Sequence, residues 1–342
     1  MKRSVYLLLL LTVGGIAATG FAQRGAASRL NHPYATDYFE GFSALDEKKK
    51  IPQKEPSFWF DLTYHTPKEQ LDYARVKDEA GETRRARHAY EALVREWPES
   101  DEACKGQLAL ARMLERNGKL SKAFDEYQYL LTYYAGQCPF YEVLDCQFKI
   151  ANSLLATERS MFGWRLDGSD EQRERFETIV RNAPRSPMVP EMLLIIGSIR
   201  LSANELKEAI SVYDGLLNRF PESKQAVPAA YLDAKSRYLL TMKNKSNEDR
   251  CRNSVAFFRA LMERMPNHPE KKDLIGWQKE LTDLLIEQNY RSAVFYDTKQ
   301  RNAVAAKTAY QKFLKEFPDS KYAADVKKRL EALEKGAAPL RR

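Results

Sequence analysis

One phrase near the end of the chain, Ala306 to Ala323, restricts the fold more than any other. It reads Ala-Lys-Thr-Ala-Tyr-Gln-Lys-Phe-Leu-Lys-Glu-Phe-Pro-Asp-Ser-Lys-Tyr-Ala. Ala306, Tyr310, Phe313 and Leu314 fall at i, i+4, i+7 and i+8, which is one apolar face at the helical period of roughly 3.6 residues. Phe317-Pro318 ends that helix, because a proline ring pushes the residue before it out of the α region. Ser320 is then predicted to cap the next helix through its hydroxyl.

The phrase recurs upstream. Ala86, Tyr90, Leu93, Trp97, Pro98 and Ser100 repeat it, and so do Ala209, Tyr213, Leu216, Phe220, Pro221 and Ser223. Looser copies run through Ala123, Tyr127 and Leu130, through Phe176, Ile179, Pro184 and Ser186, and through Phe258, Leu261 and Pro266. With Ala135 standing in for the proline of the second copy, the joints fall at 98, 135, 184, 221, 266 and 318, in steps of 37, 49, 37, 45 and 52 residues. A helix pair of that length cannot bury its apolar face alone. Recurrence therefore predicts a stacked, all-α array in which each pair covers the next.

The small, aromatic, aliphatic and proline positions, spaced 4, 3 and 5 apart, resemble the second helix of the tetratricopeptide repeat. The first-helix glycine site of that family holds Ala74, Ala111 and Gly197 in three copies, while the family's first-helix tryptophan is missing. The resemblance implies an all-α tetratricopeptide-like solenoid of about six helix pairs with a C-terminal capping helix. The sequence pattern places the pairs at 67–82 with 84–97, 101–117 with 119–134, 139–158 with 169–183, 188–203 with 206–220, 224–242 with 248–265, and 270–298 with 302–317. A closing helix is expected at 320–335, with Ala323, Val326, Leu330 and Leu333 on one face and lysines on the other. Thr66-Pro67-Lys68-Glu69 opens the array as a capping box with proline at the first helical position.

The chain has four expected sections: a signal peptide at 1–22, a flexible leader at 23–65, the solenoid at 66–335 and a basic tail at 336–342. Lys2-Arg3, the apolar run Val5 to Ala18 and the small-x-small site Gly20-Phe21-Ala22 have the order of an export signal. A retained anchor helix is the competing reading of this segment. The first cysteine is Cys104, so the cleavage point lacks the cysteine that a bacterial lipoprotein would use. Within the leader, Phe58, Trp59 and Phe60 form an aromatic strip that either folds back on the first pair or docks a partner. The segment 159–169 carries Met161, Phe162 and Trp164 and is expected as an insertion inside the third pair.

Charge and motif content bear on function. The 55 basic and 47 acidic residues give +8, and loss of Lys2 and Arg3 would leave +6. The two signs interleave along the helices, which describes solvated faces and not a nucleic-acid footprint. The sequence lacks a phosphate-cradling glycine loop, a Gly-x-Ser-x-Gly elbow and a His-Glu-x-x-His pair, so no cofactor or enzymatic chemistry is expected. His32, His65, His88 and His268 never approach ligand spacing, and there is no Cys-x-x-Cys, so no metal site is expected either. Cys104 early in the first helix of pair two and Cys138 just after its second helix could meet across a helix hairpin. Cys138 with Cys146 is the alternative pairing, four unpaired thiols a third state, and Cys251 has no evident partner.

The repeat mapping points Lys68, Arg75, Lys105, Arg112 and Arg116 toward the wall formed by the first helices, where they would suit an extended peptide carrying carboxylates. The joints Trp97-Pro98-Glu99-Ser100-Asp101-Glu102-Ala103 and Phe317-Pro318-Asp319-Ser320-Lys321-Tyr322-Ala323 resemble the BamD group of outer-membrane assembly factors. They are also similar to the C-terminal region of YbgF, the Tol–Pal-associated protein. The first resemblance implies a non-catalytic periplasmic scaffold, peripheral to the outer membrane, whose partners are the barrel-assembly machinery and unfolded outer-membrane protein segments, with no nucleic acid. The second implies coordination of the Tol–Pal and cell-wall machinery, and a generic exported interaction scaffold is a third reading. A sixth pair and the absent lipidation cysteine depart from the BamD pattern.

Overall fold

The computed structural model describes residues 64–161, 170–335 and 337–338. The expected signal peptide, the leader through residue 63 with Phe58, Trp59 and Phe60, the insertion residues Phe162 and Trp164, and nearly all of the tail lie outside the described residues. Among the described residues there are thirteen helices and no strand. In chain order they are α1 (Pro67–Glu79), α2 (Thr83–Glu96), α3 (Asp101–Arg116), α4 (Leu120–Tyr133), α5 (Phe140–Met161), α6 (Asp170–Asn182) and α7 (Val189–Ser202). They continue with α8 (Leu206–Arg219), α9 (Ala226–Lys243), α10 (Glu248–Arg264), α11 (Lys271–Thr298), α12 (Ala303–Glu316) and α13 (Ala323–Glu334). Each consecutive pair packs together, and α13 closes the stack on α12.

Local chemistry sets where the helices stop. Trp97, Phe220, Met265 and Phe317 end α2, α8, α10 and α12 at φ −128, −130, −128 and −130° with ψ 56, 51, 66 and 59°. Each precedes a proline, whose ring forbids the helical ψ at that position. The turns inside pairs one, two and four use another device. Gly81, Gly118 and Asn204 adopt φ of +73, +70 and +61°, the left-handed conformation that glycine and asparagine tolerate. The following N–H then reaches back five residues, as in Glu82 to Lys77, Lys119 to Leu114 and Glu205 to Arg200, at 2.9 Å each.

Helix starts follow the caps only in part. Thr66 Oγ1 accepts from the Glu69 N–H at 3.3 Å, and Ser100 Oγ accepts from the Ala103 N–H at 3.1 Å. Ser320 does not cap as its sequence predicts. Two further turn residues intervene, α13 begins at Ala323, and Tyr322 occupies the cap position without a side-chain capping bond. The Ser320 carbonyl instead accepts from the Ala323 N–H at 2.9 Å.

The core is a ladder of rings set against small residues. Tyr90, Tyr127, Tyr213 and Tyr310 occupy one position of their second helices and are all buried. Two of their hydroxyls turn back toward the first helix: Tyr127 donates to Glu115 at 2.7 Å and Tyr310 to Asp297 at 3.2 Å. Gln70 and Gln107, four residues before Ala74 and Ala111, send Nε2 to the carbonyls of Ala89 and Glu126 at 2.9 and 3.2 Å. These bonds tie the first helix of a pair to its mate.

First helices of neighbouring pairs touch directly, α1 with α3, α7 with α9 and α9 with α11, whereas neighbouring second helices make no comparable contact among the described residues. The first helices therefore share a surface at α1–α3 and along α7–α9–α11. The contact distance inside a pair is tight at Gly197, where an added Cβ would lie 2.7 Å from Cζ of the fully buried Tyr213 ring. In an open helix Gly→Ala stabilises by about 1 kcal/mol, but displacing a packed ring costs about 1–3 kcal/mol. Urea unfolding of Gly197→Ala is expected to show a net loss of about 1–2 kcal/mol. Gly276→Ala on α11, which meets nothing within 4 Å, is expected to gain up to about 1 kcal/mol.

Candidate protein-docking wall

Lys68 and Arg75 on α1 and Lys105, Arg112 and Arg116 on α3 are all exposed. They lie opposite the buried stripes of their helices, Gln70, Leu71 and Ala74 on α1 and residues such as Gln107, Leu110 and Ala111 on α3. The two helices that carry these five cations pack against each other. Their surroundings are mixed in sign. Arg116 Nη2 donates to Asp78 Oδ2 of α1 at 2.6 Å, and Arg112 pairs with Glu142 of α5. These exposed pairs, each worth about 0–1 kcal/mol, link three successive first helices. Lys68, Arg75 and Lys105 have no ion pair among the described residues. Val76 and Tyr141, 59% and 74% exposed, add apolar footholds on α1 and at the start of α5.

The wall changes character at α9 and α11. Tyr231 and Tyr238 of α9 stack against Trp277 of α11, with ring centroids 5.4 Å apart in each case, and His268 extends the stack beyond Tyr231. The Tyr231 hydroxyl donates to Asp273 at 3.2 Å and that of Tyr238 to Glu280 at 2.6 Å. The Glu280 carboxylate pushes the Tyr238 phenol up to about 12. This seam was not among the sequence-derived sites. Its signal was present in the matched seven-residue spacings of Tyr231/Tyr238 and Asp273/Glu280, both offset by 42 positions.

A buried charge cluster fixes α9 beneath that seam. Arg237 donates from Nε to Asp233 at 2.9 Å and from Nη2 to both oxygens of Asp214 on α8, at 2.7 and 2.6 Å. Its guanidinium also lies 4.2 Å over the Phe257 ring of α10. Farther on, Asp297 of α11 receives two bonds from Arg329 of α13, at 2.7 and 2.8 Å, which anchors the closing helix. No group of three or more His, Cys, Asp or Glu side chains is placed to hold a metal ion among the described residues. No described helix is long and apolar enough to cross a membrane.

Two tetratricopeptide-repeat sequence models match the chain, one over residues 71–141 and one over 201–330, and together they cover more than half of it. The chain belongs to the tetratricopeptide-repeat family. Among solved structures it is similar to the C-terminal part of a tetratricopeptide-repeat-containing protein from Cytophaga hutchinsonii, at 17% identity, over 77% of this chain and 88% of that one, with a TM-score of 0.31. It is also similar to a tetratricopeptide-repeat protein from Parabacteroides merdae, at 17% identity, over 78% of this chain and 98% of that one, with a TM-score of 0.28. No curated protein matches it. Tetratricopeptide repeats characterise protein-interaction scaffolds.

The buried cluster in this repeat array has a pH signature. Burial raises the Asp233 carboxyl well above its ordinary 3.8, against the pull of Arg237 and with added repulsion from Asp214. A carboxyl raised in this way binds its proton more tightly in the folded chain than in the unfolded one. Its contribution to stability is full below the unfolded value and is lost as pH rises through the folded value. Asp233→Asn keeps an acceptor for Arg237 and removes this loss. It is expected to equal or exceed the parent by on the order of 1 kcal/mol at neutral pH, with the difference shrinking toward pH 4 in thermal melts.

Proposed function

We propose that this tetratricopeptide-repeat protein is an exported, periplasmic, non-catalytic scaffold that receives extended, carboxylate-bearing protein segments on the α1–α3 wall and serves outer-membrane β-barrel assembly. The observation that carries the wall assignment is the placement of Lys68, Arg75 and Lys105, exposed on adjacent first helices and without ion pairs among the described residues. Cations held on a rigid helical surface engage carboxylates through charge-assisted bonds, which are stronger than neutral ones. Val76 and Tyr141 supply apolar contact beside them. The export signal read at 1–22 and the aromatic-Pro-x-Ser-x-x-Ala joints support the envelope setting and the likeness to the BamD group. In this reading the N-terminal pairs receive substrate and the C-terminal pairs dock on the assembly machinery.

Affinity capture from detergent-solubilised envelopes, with bound proteins identified by mass spectrometry, tests the assignment. Recovery of the barrel-assembly protein and of unfolded outer-membrane protein segments is expected. Recovery of Tol–Pal or cell-wall synthesis proteins in their place would reassign the array. The double variant Arg75→Glu with Lys105→Glu is expected to weaken retention of acidic segments at least about tenfold, equivalent to about 1.4 kcal/mol, with an effect that fades at high salt. Unchanged retention would remove the wall from the mechanism.

A further inference from the structure

The four cysteines occupy separate settings. Cys251 is buried on α10, and its thiol donates to the Leu281 carbonyl of α11 at 3.2 Å. Cys146 on α5 lies beside Tyr127 of α4, whose hydroxyl donates to Glu115 at 2.7 Å. Glu115 lies at the last turn of α3, about 16 Å along the helix axis from Cys104 in its first turn. Cys146 thus sits toward the far end of the second pair.

Cys104 and Cys138 share the near end. Cys104 is buried on α3 and Cys138 is half-buried just after α4. Tyr134 ends α4, its carbonyl accepts from the Cys138 N–H at 2.9 Å, and its hydroxyl donates to the Pro98 carbonyl at 2.7 Å. Those two bonds hold the exit of α4, with Cys138, beside the entry of α3, with Cys104. Burial raises the Cys104 thiol to about 11, and Cys138 adds to the rise. Tyr134 feels the Cys104 charge in turn.

We propose that Cys104 and Cys138 close a disulfide that clamps the entry of α3 to the exit of α4. The bond forms by exchange with a disulfide donor, either a small disulfide such as oxidised glutathione or a protein disulfide. The half-exposed Cys138 thiolate attacks one donor sulfur and expels the other as a thiolate. The Cys104 thiolate then attacks the Cys138 sulfur of the mixed disulfide and releases the second donor sulfur. The two cysteine protons end on the two released thiols, and the donor takes up two electrons. Burial holds both cysteine thiols above their usual range, so exchange quickens as pH rises.

The full chain, incubated with oxidised glutathione, alkylated and digested, is expected to yield one linked peptide joining Cys104 and Cys138, with Cys146 and Cys251 alkylated. The oxidised chain should melt several degrees above the reduced one, because the link closes a 34-position loop. Cys138→Ser should abolish both the link and the rise, and Cys146→Ser should preserve both. A Cys138–Cys146 peptide, glutathione retained on Cys138, four alkylated cysteines, or a melting rise that survives Cys138→Ser would each overturn the assignment.

Discussion

The array depends on how closely the two helices of a pair approach. A second-helix ring lies flat against a first-helix position that must be small, and Tyr213 over Gly197 is the tightest instance. That contact hides a large ring within a pair while leaving the outer faces of both helices to meet the next pair. Packing at this density leaves no room for a larger side chain at the small site. The alanines at 74 and 111 obey the same requirement, both with no exposed surface. Once the pairs are set at this distance, stacking them is a matter of repeating the interface.

Repetition is not uniform, and the places where it falters are where charge enters the core. The largest apolar cluster runs from Leu71 to Ala229, and a second begins at Ala230 on the same helix, α9. Beside this junction lie Asp214, Asp233 and Arg237, joined by bonds that only one arrangement of α8 and α9 can satisfy. A third cluster covers the end of α11 with α12 and α13, and Asp297 with Arg329 ties α11 to α13. Buried ion pairs of this kind give little net stability against an apolar alternative, but removing one member strands the other. Their effect here is to fix the register of helices where apolar packing is interrupted.

The second helices spend their apolar faces on their own mates and on the next first helix, which leaves the outer faces of the first helices open. Their chemistry is graded along the chain, with exposed cations and two inter-helix ion pairs at α1, α3 and α5, and a stacked aromatic seam at α9 and α11. A partner lying along such a wall meets charge at one end and ring edges with carboxylates at the other.

Much of this could be read from the sequence, for physical reasons that differ by feature. Proline joints at 98, 221, 266 and 318 and the left-handed residues Gly81, Gly118 and Asn204 act within a few bonds, so helix ends follow from local chemistry alone. The apolar period and the repeated small–aromatic spacing determined the helix pairs and the family, because both are properties of a single helix face. Ser320 shows the limit, for its capping role hinged on two turn residues that the same phrase at Ser100 lacks. Only tertiary structure decided which long-range partners meet. The pairing of Arg112 with Glu142 and Arg116 with Asp78, the interleaving of Trp277 between Tyr231 and Tyr238, and the shared setting of Cys104 and Cys138 around Tyr134 all join residues 30 or more positions apart. Sequence spacing gives the face on which a side chain stands, but the rotation and offset of the next helix select the residue it touches.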